Sequence, residues 1–285
     1  MRIGVALAVV AACGKAQAPV SDRCTAQPFA TSTPVPEASA AAWLGSNQLL
    51  VIGDSGNHGA YGIVDAATGT TLDQGALPLG DSSDDFEGLA TLGDTIYGVI
   101  SSGWVYAWQR AGSGFQLVDG PYSLGPVDLP PTGHGDHPPA TDGMVCDVHK
   151  SNCGRNYEGL CLAPAPTPDG CAGYVAAKAD GKLYCVAFDA SHHLRVRRDG
   201  AIAVDGPARL ADCAYDDTGR LWAADNLFGM AQVFRIDNGS AVPFEAFGPG
   251  FPEVLAVRGD TFYRMSDLGG APSLMAKFRC PAATK

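Results

Sequence analysis

The chain has 285 residues, 46 % of them hydrophobic, with 30 acidic against 19 basic residues and a formal net charge of −11. Such a surface repels phosphate backbones, so nucleic acid is excluded as the expected partner, while cations and basic partners are attracted. Its 36 glycines and 20 prolines recur along the length and punctuate it into short segments.

At the amino terminus, Arg2 precedes the apolar run Ile3 to Ala12, which is too short to span a bilayer and reads as an export signal. The end of that run, Val10-Ala11-Ala12-Cys13, resembles the lipobox of bacterial lipoproteins. The resemblance implies that residues 1–12 are a signal peptide, that Cys13 is lipidated, and that 13–23 tether the chain to the bacterial cell envelope, with membrane contact only through the lipid. Removal of Arg2 with the signal leaves 30 acidic against 18 basic residues, a balance of −12. Of nine cysteines, setting Cys13 aside leaves eight, an even number in a chain sent to an oxidising space. Cys24 and Cys280 stand at the two ends of residues 24–285 and are expected to bond; in the chain-entropy model a loop that long contributes roughly 4 kcal/mol. Cys146 and Cys153 are expected to close a small loop, and the pairing of Cys161, Cys171, Cys185 and Cys213 stays open.

Within 24–285 one unit recurs. A loose copy runs from Ala42 to Ile52. Glu87-Gly88-Leu89-Ala90-Thr91-Leu92-Gly93-Asp94-Thr95-Ile96-Tyr97 and Glu253-Val254-Leu255-Ala256-Val257-Arg258-Gly259-Asp260-Thr261-Phe262-Tyr263 match without a gap. Between them, Glu158-Gly159-Leu160-Cys161 repeats the opening, and Cys213 to Trp222 repeats the strand, turn and return. Runs with partial alternation follow the hairpins, such as Trp104 to Trp108, Lys182 to Val186 and Gln232 to Ile236, with a more polar fourth in places, as at Phe115 to Val118. Repeated units of about four strands predict an all-β fold, a single β-propeller whose ring is closed by the N-terminal strand joining the last blade. Length alone fits five blades or six; five is preferred because residues 122–156 contain no strand-turn-strand copy. A two-sheet sandwich survives only if the repeat is accidental.

In a propeller the first strand of each blade lines the channel, and the loop into it opens on the same face as the loop after the second strand. Glu87, Glu158 and Glu253 share the slot at the mouth of the first strand, which Ser39 fills in the loose copy and Ala211 in the fourth, with Asp212 one step later. At the end of the second strand Asp54 aligns with Asp267, and Asp225 lies within one residue of that slot. Six carboxylates on one face repel one another and raise each other's pKa values unless a cation or an arginine sits among them. Hard oxygen donors in that number suit Ca2+ better than zinc. The structural alternative is that each acid caps its own loop.

Asp81-Ser82-Ser83-Asp84-Asp85-Phe86-Glu87-Gly88-Leu89-Ala90, taken with Gly53-Asp54-Ser55-Gly56-Asn57, Asp65-Ala66-Ala67-Thr68-Gly69 and Asn156-Tyr157-Glu158-Gly159-Leu160, resembles bacterial exported propellers of the SdiA-regulated and phytase-like (esterase-like activity of phytase) group. The likeness covers roughly residues 40 to 240 and implies a propeller, usually of six blades, sometimes with a calcium site. No lysine and arginine cluster of the kind phytases use is evident beside the acids, which argues against phytase activity.

Residues 122–156 form a Pro- and Gly-rich insertion that precedes a first strand and is expected to lie over the acidic face. His134, His137 and His149 in it are candidates for a base or metal ligands, and Cys146, His149 and Cys153 for zinc, although an oxidising space favours the disulfide. Gly53-Asp54-Ser55-Gly56 lacks the context of a serine-protease nucleophile, Arg258-Gly259-Asp260 is the turn of the repeat, and Asn238-Gly239-Ser240 reads as a turn. Two functions remain: an envelope lipoprotein propeller binding a small molecule or an envelope protein at its acidic face, with a divalent cation; or a calcium-dependent hydrolase of phosphoesters, esters or lactones.

Overall fold

The computed structural model describes residues 23–80, 82–126, 145–197, 199–204, 210–227, 231–270 and 272–281. They form an all-β, five-bladed propeller. Blade 1 holds β3 (Ala38–Leu44), β4 (Gln48–Gly53), β5 (Ala60–Asp65) and β6 (Thr71–Ala76); blade 2 holds β7 (Phe86–Leu92), β8 (Thr95–Ile100), β9 (Trp104–Ala111) and β10 (Gly114–Ser123). Blade 3 holds β11 (Tyr157–Leu162), β12 (Gly173–Ala177), β13 (Lys182–Phe188), β14 (Leu194–Val196) and β15 (Ile202–Ala203); blade 4 holds β16 (Leu210–Tyr215), β17 (Leu221–Asp225), β18 (Gln232–Asp237) and β19 (Ser240–Ala246). Blade 5 is built from both ends of the chain: β20 (Phe251–Arg258), β21 (Thr261–Asp267) and β22 (Pro272–Arg279) are completed by β1 (Thr25–Gln27) and β2 (Ser32–Pro36), which both pair with β22. Among the described residues no helix is long and apolar enough to cross a membrane.

Sheet faces that no other layer covers must bury against one another, and they do so blade to blade. Five buried clusters fill the five gaps: Leu50, Phe86 and Trp108 between blades 1 and 2, Val99, Leu160 and Val186 between 2 and 3, Leu183, Leu210 and Phe234 between 3 and 4, Trp222, Phe262 and Phe278 between 4 and 5, and Val51, Val254 and Met265 between 5 and 1. The fully buried indoles keep their N–H groups satisfied: Trp108 donates to the carbonyl of Pro78 (2.8 Å) and Trp222 to Oδ2 of Asp216 (3.1 Å).

The disulfides reinforce the same joints. Cys24–Cys280 clasps the terminal strands that close the ring, and Cys161–Cys213 ties the inner strands β11 and β16 of neighbouring blades. Cys171–Cys185 lies within blade 3, and Cys146–Cys153 closes a loop ahead of β11. Four disulfides are the mark of an exported chain. Cys13, His134 and His137 lie outside the described residues, as does the segment 127–144 of the insertion; Tyr122 and Ser123, at its start, complete β10.

Candidate functional site at the mouth of the channel

Every inner strand carries a break in register near its start. The pairing slips between Ala38 and Ala40, Phe86 and Gly88, Tyr157 and Gly159, Leu210 and Asp212, and Pro252 and Val254. The residues skipped are Ser39, Glu87, Glu158, Ala211 and Glu253, the slot aligned from sequence. A bulge leaves one residue unpaired and re-aims its side chain, and here that happens once per blade at one end of the channel. The glycine after the bulge has a steric reason. A Cβ on Gly88 would stand 2.3 Å from the backbone nitrogen of Leu160 in the next inner strand, and one on Gly159 would stand 2.6 Å from Oδ1 of Asp212. The Glu-Gly-Leu motif thus couples a carboxylate in the channel to the close approach of two blades.

A second ring sits at the ends of the second strands. The backbone N–H groups of Asp54, Ser101 and Lys178 donate to the carbonyls of Glu37 (2.8 Å), Asp85 (3.1 Å) and Asn156 (2.9 Å), each the residue just before an inner strand. These three positions are therefore equivalent. In blades 4 and 5 the residues after the matching pairs Leu210–Asp225 and Pro252–Ser266 are Asn226 and Asp267. The ring reads Asp54, Ser101, Lys178, Asn226, Asp267, acidic on blades 5 and 1 and hydrogen-bond-donating on blades 2 to 4.

Asp54, Asp85 and Glu87 each offer an oxygen, and the three oxygens lie within 4.8 Å of one another. Burial raises all three acids. Asp54 is pushed up to about 7, with the charges of Asp85, Glu253 and Asp267 adding to the burial. Glu87 is raised well above the ordinary range by burial and then by Glu158, Asp54, Glu253 and Asp85, and among the described residues no donor reaches its carboxylate. Asp85 is held by Ser101, whose hydroxyl donates to Oδ2, and is raised by burial all the same.

Glu158 is treated differently. Nζ of Lys178 lies 2.7 Å from its Oε2, with the Glu158 side chain 2 % exposed and that of Lys178 25 % exposed. Burial still lifts Glu158 to about 8 against the pull of Lys178, and among the described residues its Oε1 has no partner. Burial acts to lower Lys178, but Glu158, Glu253 and Glu87 together leave it raised. Glu253, raised by burial, accepts from Nδ2 of Asn226 (3.1 Å).

The remaining acids accept from backbone N–H groups. Oδ1 of Asp225 accepts from the N–H groups of Gln232 (2.7 Å) and Leu227 (3.4 Å), and Oδ1 of Asp267 accepts from the N–H of Gly269 (2.7 Å). Asp212 bridges blades 4 and 5 through the N–H groups of Cys213 and Leu255, both 2.7 Å away. Behind them the fully buried Arg264 donates through Nη2 to the carbonyls of Asp225 and Pro252 (2.9 Å each) and compensates Asp212 and Asp225. The sequence shows no lysine and arginine cluster beside the acids; two single basic groups do stand there, Lys178 just after the second strand of blade 3 and Arg264 within that of blade 5.

The insertion meets this face where it rejoins the propeller. The N–H of Asn152, inside the Cys146–Cys153 loop, donates to Oγ of Ser101 (2.6 Å) and also stabilises the Asp85 carboxylate. His149 is exposed, and its N–H donates to its neighbour Asp147 (2.8 Å). Because Cys146 and Cys153 are bonded to each other, they are not zinc ligands.

No family model matches the chain, and no curated protein sequence is similar to it. Among solved structures it is similar in fold to a luciferin-regenerating enzyme, at 12 % identity and a TM-score of 0.52 over 87 % of this chain and 92 % of that one. It is likewise similar to the glutaminyl cyclase of Myxococcus xanthus, at 15 % identity and a TM-score of 0.53 over 90 % of this chain and 96 % of that one. At such identities the likeness is one of fold alone.

Proposed function

We propose that the chain is an envelope lipoprotein whose propeller binds a divalent cation, calcium by its donor chemistry, at the acidic mouth of the channel, and recognises a ligand there. The observation that carries this is the trio Asp54, Asp85 and Glu87, with Glu87 buried, undonated and surrounded by like charge. Such a group costs stability as an anion unless a cation compensates it. The donors are all hard oxygens, which favours calcium or magnesium over zinc. Glu253, Glu158 and Asp267 add negative charge around the trio, and Asp225 stands farther back against Arg264. A bound cation would offer its open positions to oxygen atoms of a ligand, while Lys178 and Asn226 supply donors across the mouth. The four disulfides support export, and the lipobox-like end of the signal supports the anchor.

The second reading, a calcium-dependent hydrolase, is favoured by Glu158 alone. A carboxyl lifted to about 8 and placed 2.7 Å from an ammonium can hold or release a proton near neutral pH. Equilibrium dialysis of calcium against the purified protein and its Glu87→Gln variant tests the binding reading. One ion per chain that the variant fails to retain is expected; no saturable binding by the parent would remove it.

A further inference from the structure

The other end of the channel holds a cavity of about 340 Å³, walled by the second halves of the inner strands. Its wall mixes inner-strand backbone with small and apolar side chains and is only slightly more apolar than polar, with Ala90, Leu162, Ala214 and Val257 from blades 2 to 5 and Trp43 from blade 1. The volume is at the lower end for small-molecule sites and equals about eleven water volumes, so it holds a ligand of roughly a dozen heavy atoms.

The charged side chains at this cavity are few. Asp216 is consumed by its own turn, accepting from Thr218, Arg220 and Trp222. Asp217 is exposed and accepts through Oδ1 from the N–H of Gly259 (2.8 Å). Arg258 lies with its guanidinium 3.7 Å from the ring centre of Trp43 and donates to the carbonyls of Gly45 (3.0 Å) and Ser46, a clasp between blades 5 and 1. Both acceptors are neutral, and Arg258 forms no ion pair among the described residues; burial lowers its pKa, and the charge of Asp217 works against that.

We propose that this cavity is a second ligand site, separate from the acidic mouth, for a small molecule with a short apolar body and one anionic head, of the medium-chain or aryl carboxylate class. The body fills the channel between the inner strands, where apolar surface leaves water. The head meets the guanidinium of Arg258, the one lysine or arginine side chain in this wall among the described residues, whose hydrogen-bond acceptors here are neutral carbonyls and which gains a charge-assisted bond from an anion.

Octanoate, with octanol as its neutral counterpart, is the probe, titrated calorimetrically into the purified protein without calcium. One saturable site per chain is expected, with octanol about tenfold weaker, the worth of one hydrogen bond to a charged group. Arg258→Gln should weaken octanoate by about tenfold, and Ala214→Trp should fill the cavity and abolish binding; Thr91→Phe serves the same purpose if the first variant melts early. Glu87→Gln should bind octanoate as the parent does, which separates this site from the calcium reading. Absence of saturable octanoate binding, parent-like binding by both cavity-filling variants, or loss of binding in Glu87→Gln would each overturn the site. Equal affinity for octanol would overturn the anionic head.

Discussion

Replacing Glu87 by glutamine keeps the shape of the side chain and removes its charge from the crowded part of the channel mouth. Glu87 is raised because burial and the fields of Glu158, Asp54, Glu253 and Asp85 all disfavour its anion. The fold of the metal-free protein therefore prefers protonated acids here. A carboxyl whose folded pKa lies above its unfolded value contributes stability that is present below the unfolded value and is lost as pH rises through the folded one. For Asp54 that window runs from 3.8 to about 7, and for Glu158 from 4.5 to about 8. The metal-free parent should accordingly melt at lower temperature at pH 8.5 than at pH 5.5, and Glu87→Gln should flatten part of that slope while being no less stable at neutral pH. Calcium needs the deprotonated form, so its effect should grow over the same window. At a hundred times its Kd, an ion adds about 2.7 kcal/mol. With an unfolding entropy of about 2.1 cal/mol/K per residue over 285 residues, that is a rise in Tm of roughly 5 °C. Melting curves with saturating calcium and with chelator, at both pH values, read this directly. A parent with the same Tm in calcium and chelator at pH 8.5, or a Glu87→Gln variant with an undiminished calcium shift, would refute the reasoning.

Three further outcomes are expected. Lys178→Gln strands the buried Glu158, which should cost about 3 kcal/mol at high pH and less at pH 5.5, where Glu158 is protonated in the folded parent and the folded variant alike; a pH-independent loss in urea titrations would show that Lys178 acts through packing and not through charge. Gly88→Ala places a methyl 2.3 Å from the nitrogen of Leu160 and should destabilise by more than about 2 kcal/mol, whereas Gly114→Ala, with nothing within 4 Å, should be near neutral; similar midpoints for the two variants would contradict the close inner-strand approach. Cys13→Ser should move the protein from the membrane to the soluble exported fraction, and fractionation identical to the parent would end the lipoprotein reading.

Much of the architecture is local and so was legible in the chain. Hairpins recur because each blade must place an apolar strand, a tight turn and a returning strand in the same order, and Gly93-Asp94 and Gly259-Asp260 mark that turn twice. The slot of Glu87 and Glu253 was readable for the same reason, since each bulge stands six residues before its Gly-Asp turn, and Glu158 was readable from the repeated Glu-Gly-Leu opening. The Cys24–Cys280 bond followed from ring closure at the chain ends. Other features depend on which surfaces meet. Cys161–Cys213 and Cys171–Cys185 are chosen by the contact between blades 3 and 4 and by the sheet of blade 3, neither of which spacing encodes. Asp85 stands just ahead of its strand, and only the fold of its loop over Ser101 turns it toward Asp54 and Glu87. Lys178 and Asn226 share the slot of Asp54 and Asp267, but the loops between strands differ in length and the slot has no hydrophobic signature. Equivalence is set there by backbone hydrogen bonds such as Lys178 to Asn156, and the sign of the charge placed at each blade is a tertiary matter, because it answers to the field of the other four.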